Sequence, residues 1–111
     1  MRFFLGKPRH REVTAFELEQ LLREGAIQVV DVREINEFAA GHIPGALNMP
    51  LSDFRPSQLP KAEGKTVVLS CLSGMRSGKA LDKCAAVRDE VDTHLAGGFN
   101  AWRAAGLPVE R

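Results

Sequence analysis

Only two cysteines, Cys71 and Cys84, occur in the 111 residues. That is too few for a disulfide framework in a chain this size. Also missing is any apolar run near the ~20 residues that a membrane helix requires. The N-terminal Met1–Gly6 carries an apolar triplet, Phe3-Phe4-Leu5, but lacks the length of a signal-peptide core. A cytoplasmic location with reduced thiols and no membrane span is expected. The triplet reads most simply as a tail tucked on the domain; a mobile tail, an anchoring strand and a contact surface are the alternatives. Excess charge is lacking as well: 15 Lys and Arg face 14 Asp and Glu, a net charge of +1. That excludes a whole-protein field aimed at nucleic acid or membrane, although a local basic patch stays open. Histidines and cysteines are scattered without ligand spacing, so neither a metal nor another cofactor is expected. There is no internal repeat and no low-complexity segment.

What is present is ordinary globular composition, 44% apolar and 26% charged, enough for one domain with one real core. Residues 1–12 read as a lead-in, polar over 7–12, and 13–111 as the domain. Thr14 with Glu17 forms a capping box, and Phe16, Leu18, Leu21 and Leu22 recur at helical spacing up to a stop at Gly25. Residues 27–32 (IQVVDV) predict a buried strand. Residues 34–40 predict a short helix stopped at Gly41, followed by glycine and proline turn chemistry at 41–46. A short strand is expected at 46–49, and a loop with one helical turn at 52–64. Thr66–Ser70 (TVVLS) is the second apolar strand. Residues 77–88 predict a helix with Ala80, Leu81, Cys84 and Ala85 on one face. A last strand at 92–96 ends in Gly97-Gly98, and Asn100 is placed to cap a final helix through Ala105. Strands alternating with helices, two of them apolar throughout, predict an α/β fold: a central parallel sheet of about five strands with helices on both faces.

Cys71 follows the strand TVVLS directly, at the sheet edge where open parallel sheets bind ligands. Leu72, Ser73, Gly74, Met75, Arg76 and Ser77 come next. Glycines at 74 and 78 let the backbone curl, and consecutive N–H groups in such a curl form an anion nest. The following helix adds its positive end and Arg76 a permanent charge. Such a setting lowers the thiol pKa and cradles an anion beside the sulfur, and it predicts a partly exposed, electropositive cysteine. Cysteine phosphatases use a similar loop with arginine six positions after the cysteine. Arg76 stands five positions after Cys71 and position 77 is serine, a smaller ring suited to one sulfur.

Four segments together resemble the rhodanese superfamily: Asp31-Val32-Arg33 with Glu37-Phe38; Gly41-His42-Ile43-Pro44-Gly45-Ala46; Cys71 through Ser77; and Gly97-Gly98-Phe99 with Trp102 and Gly106-Leu107-Pro108-Val109. The resemblance implies a sulfurtransferase that carries sulfane sulfur as a persulfide on Cys71, in a double displacement. It implies a small anionic donor such as thiosulfate, a thiol or cyanide acceptor, and a possible sulfur-relay protein. The backbone of residues 72–76 would hold the persulfide, and Arg76 would dock the anion or lower the Cys71 pKa. A rim carrying Leu72 and Met75 is less cationic than in members tuned to thiosulfate. A persulfide carrier, redox sensor or interaction module is the alternative on the same fold.

Asp31 and Arg33 sit near the same sheet edge and are candidates to support the thiolate; in the plainer reading Arg33 pairs with Glu37 and Asp31 bonds loop amides. His42 reads as a turn fastener and Cys84 as core, too deep in its helix to reach Cys71. Arg76, Lys79 and Lys83 form a basic stripe, read as a solvated face, with docking of an acidic partner protein as the alternative. Phe99 and Trp102 are expected to seal the core near the loop.

Overall fold

The computed structural model describes residues 10–61 and 64–111. The Phe3-Phe4-Leu5 triplet and the first part of the lead-in lie outside the described residues. Five strands form one parallel sheet: β1 (Arg11–Val13), β2 (Ile27–Asp31), β3 (Leu47–Asn48), β4 (Thr66–Ser70) and β5 (Thr93–Leu95), in spatial order β1-β5-β4-β2-β3. The helices are α1 (Ala15–Arg23), α2 (Ile35–Ala40), α3 (Met75–Cys84) and α4 (Gly98–Ala104), with 3₁₀ turns at Leu51–Asp53 and Pro56–Gln58. β4 lies at the centre, pairing with β2 from Ile27↔Thr66 to Asp31↔Ser70 and with β5 on its other side.

Period-two alternation explains why the central strands read as apolar throughout. Val67 and Leu69 face one core with Val30, Ala80, Leu81 and Cys84, beneath α3 and the 3₁₀ turns. Val68 faces the other with Val29, Ala15, Leu18, Phe99 and Trp102, beneath α1 and α4. Both faces of the sheet are therefore covered.

The capping box forms as expected: Glu17 N–H donates to Thr14 Oγ1 at 3.1 Å, and Thr14 N–H to the Glu17 carboxylate at 2.8 Å. Phe16 departs from the expected apolar stripe. It is 64% exposed, because Ala15 and Leu18 supply the buried face of α1. Arg11 and Glu12, read as lead-in, already belong to β1, where Arg11 N–H bonds to Asp92 O at 2.8 Å.

Two helices start earlier than their sequence signals. α3 begins at Met75 instead of residue 77, because Gly74 takes a left-handed turn (φ +112°) that sets the helical run two residues sooner. α4 is capped at Gly97 (φ +73°), not at Asn100. The Asn100 N–H bonds instead to Leu72 O at 3.0 Å, beside Phe99 N–H to Cys71 O at 2.7 Å. The unsatisfied N–H groups of a helix start thus find acceptors in the backbone of the Cys71 loop.

Candidate active site

Cys71 follows the carboxyl end of β4, and its carbonyl accepts the Phe99 N–H near the start of α4. Its sulfur receives the Gly74 N–H at 3.0 Å and lies 3.4 Å from Ser77 Oγ. Position 98 must be glycine for this loop to close. A Cβ there would stand 2.5 Å from Cys71 O and 2.6 Å from Leu72 O, at a backbone φ of +58° that side chains rarely adopt.

Both cysteines are completely buried, and their environments pull their acidities in opposite directions. Burial disfavours a thiolate, and it pushes Cys84 up to about 11. Burial is also the largest single influence on Cys71. There it is outweighed by the Ser77 hydroxyl and the backbone N–H groups of Ser77, Gly74 and Ser73, so the thiol falls below its ordinary value. The donors that the loop curl predicts do converge on the sulfur. The partial exposure expected of Cys71 is not found: its side chain belongs to the core cluster beneath α3, because the loop folds inward over it.

Arg76 is differently engaged. Its two terminal nitrogens bond to the two Glu37 oxygens at 2.7 and 3.0 Å, a bidentate pair that holds the Glu37 carboxyl down at about 2. The pairing with Glu37 that spacing suggested for Arg33 belongs to Arg76. It persists above the ordinary carboxylate range and is lost only as pH falls through about 2. The hydrogen bond to Glu37 also raises the Arg76 pKa, and the nearby Cys71 and Asp31 add to the effect.

Arg33 turns the other way. It forms a buried two-pronged pair with Asp31 at 2.8 to 3.1 Å and donates to Gly41 O at 2.7 Å. Its guanidinium lies 4.4 Å from the centre of the Phe99 ring. Asp31 also accepts the Arg33 N–H at 2.9 Å, so it bonds a backbone amide as the plainer reading had it. Leu72 packs into the core under α4 rather than on the rim, whereas Met75 is 73% exposed. Ser73 is exposed at the loop tip, and Lys79 and Lys83 stand in solvent along α3.

His42 fastens its turn through Nδ1 to Phe38 O at 2.9 Å and stacks on the Phe38 ring. Phe99 and Trp102 are buried under the loop. Sequence reasoning missed His94, which is buried on β5 with Nδ1 2.7 Å from Ser77 Oγ. A single histidine in a short strand carries no local signal. Its role depends on β5 lying beside β4, which only the sheet order reveals.

Residues 14–105 match the rhodanese-like domain family. The chain belongs to the rhodanese family. An uncharacterized protein of Synechocystis is 52% identical over 92 residues, covering 83% of this chain and 51% of its own length. A sulfurtransferase of Allochromatium vinosum is 36% identical over 104 residues, covering 88% of this chain and 92% of its own. A rhodanese-related protein from Thermoplasma volcanium superposes with a TM-score of 0.77 at 27% identity, over 90% of this chain and 97% of that one. The chain spans about half the length of the Synechocystis relative. The rhodanese fold expected from the sequence is thus the observed one. Among the described residues no helix is long and apolar enough to cross a membrane.

Within this rhodanese domain Cys84 serves packing. Cys84→Ala is expected to cost about 1 kcal/mol for the small cavity, which denaturant unfolding measures.

Proposed function

We propose that the domain is a sulfurtransferase with Cys71 as its nucleophile. The Cys71 thiolate attacks the outer sulfur of thiosulfate or of a persulfide donor. The donor S–S bond breaks, its electron pair leaves with sulfite or a thiol, and Cys71 becomes a persulfide. An acceptor nucleophile, a thiol or cyanide, then takes the outer sulfur and returns the Cys71 thiolate. Neither half-reaction needs a redox co-reactant.

One observation carries this reading: two equally buried thiols differ in acidity because hydrogen-bond donors converge on one of them. The same N–H groups suit a persulfide anion, which bears its charge one atom further out. The Phe99 and Asn100 N–H groups, bonded to Cys71 O and Leu72 O, and the close approach at Gly98 hold the loop against α4. With Arg76 committed to Glu37, the loop offers an incoming anion backbone donors and a partly neutralised cation. That favours a small sulfur donor, or a sulfur-relay protein working in the cytoplasm, over a phosphate ester.

The full burial of Cys71 favours a second reading, a persulfide carrier or sensor without efficient turnover. Thiosulfate and cyanide assays separate the two. Steady thiocyanate release with ping-pong kinetics is expected of the enzyme. Sulfur uptake without turnover marks the carrier, and hydrolysis of an aryl phosphate contradicts both.

A further inference from the structure

The Cys71 sulfur begins a chain of polar groups that runs past the start of α3 to β5. Ser77 Oγ lies 3.4 Å from Cys71 Sγ and 2.7 Å from His94 Nδ1. On the far side of the ring, His94 Nε2 lies 3.6 Å from a Glu12 carboxylate oxygen on β1. All of Cys71, Ser77 and His94 are buried. The chain ends at an open cavity of about 330 Å³ that Glu12 and His94 line together with Gly74 and Met75 of the Cys71 loop, where the last group meets solvent.

Proton counting along this chain allows two states. The Ser77 hydroxyl has one proton, and three acceptors lie within reach: His94 Nδ1, Cys71 Sγ and Gly74 O at 3.2 Å. If His94 is neutral with its proton on Nε2 toward Glu12, Nδ1 takes the Ser77 proton. Ser77 then offers the sulfur only a lone pair, and Cys71 must be the S–H donor. If Nδ1 carries a proton, it donates to Ser77 Oγ and frees the Ser77 proton to point at the sulfur, which suits a thiolate. One residue of α3 thus couples the protonation of a strand histidine to the charge on Cys71.

We infer that His94 is the proton acceptor for Cys71 through Ser77, a positioning residue that makes the thiolate available inside a closed loop. The S–H proton passes to Ser77 Oγ as the Ser77 proton passes to His94 Nδ1. The product is a thiolate and an imidazolium whose Nε2–H faces the Glu12 carboxylate. No electrons change hands, and the proton stays in the protein until it leaves by way of the cavity. The inference deepens the reading of Cys71 as a working thiolate and supplies what full burial demands, a chain of polar groups along which the thiol proton leaves. Burial holds His94 below its ordinary value, so the ring rests with a free acceptor nitrogen and its imidazolium depends on the Glu12 carboxylate. The groups facing its ring are Ser77 from α3, Glu12 from β1 and His10, whose ring stands edge-on at 5.8 Å and is itself bonded to Asp82 of α3 at 2.7 Å. Glu12 favours the imidazolium and His10 opposes it.

The test is an ultraviolet titration of thiolate absorbance, which no phenolate obscures because the chain has no tyrosine. Burial pushes the other thiol, Cys84, the opposite way, up to about 11. His94→Asn is expected to raise the Cys71 midpoint by about one unit, which is tenfold less thiolate below the midpoint. In a Ser77→Ala background the His94→Asn change is expected to do nothing more, because the connecting hydroxyl is gone. A wild-type midpoint in folded His94→Asn protein, or an equal shift in both backgrounds, overturns the relay. Should His94→Asn fail to fold, Glu12→Gln at an exposed position reads the same coupling. Losing the carboxylate lowers the proton affinity of His94, so the Cys71 midpoint rises; an unmoved midpoint again overturns the relay. The titration requires no sulfur donor, so it fails or succeeds independently of sulfur transfer.

Discussion

Replacing Cys71 by serine is expected to remove sulfur transfer by at least about three orders of magnitude, the scale seen when a covalent nucleophile is deleted. The reason is chemical. A hydroxyl at position 71 stays protonated under the donors that acidify a thiol, and oxygen does not hold a sulfane sulfur for transfer. The fold is expected to persist. Serine is close in volume, and its oxygen can accept the Gly74 N–H that the sulfur now receives at 3.0 Å, so the stability change should stay within about 1–2 kcal/mol. Thiocyanate release, measured beside a denaturant melt, separates loss of chemistry from loss of fold. Retention of even a tenth of the wild-type rate places the chemistry elsewhere.

The second large effect falls on stability. Arg33→Ala is expected to cost about 3–5 kcal/mol, because it breaks a buried ion pair and leaves one partner inside. Asp31 and Arg33 are 2% and 4% exposed at the side chain, so water does not replace the lost partner. The Gly41 carbonyl loses its 2.7 Å donor and Phe99 loses the guanidinium against its ring. In a domain of this size the whole stability is about 5–15 kcal/mol, so a substantial share is removed. Arg33→Lys is expected to recover only part of it, since a lysine cannot supply the two-pronged contact. Equilibrium urea unfolding measures both, and a loss below about 1 kcal/mol for Arg33→Ala contradicts the structural role assigned to the pair.

The fold was legible where the signal is local and strong. Two apolar β-branched runs located β2 and β4, and glycine and proline punctuation marked the turns. The strand, cysteine, glycine-rich loop and helix pointed to residue 71 before any coordinates. What escaped the sequence depends on partners brought together from a distance. Spacing along α2 favours an Arg33–Glu37 pair, yet Arg33 folds back onto Asp31 and Arg76 arrives from α3 to take Glu37. The early starts of α3 and α4 follow from left-handed glycines at 74 and 97, ahead of the start at residue 77 and the Asn100 cap that the local pattern suggests. Arg88 gave no signal at all. It is buried and holds the carbonyls of Pro56, Leu59 and Pro60, pinning a segment that reads as loop with one helical turn. The covering of Cys71 was also invisible, since exposure is a property of the packed loop and not of its composition.

The most direct trial is to treat the reduced protein with thiosulfate, remove the donor, and map added mass by peptide. One sulfur atom on the peptide bearing Cys71, with the Cys84 peptide unchanged, is the predicted result. Sulfur on neither cysteine, or on both alike, would mean that the donors around residue 71 confer no special chemistry, and the catalytic assignment would fail.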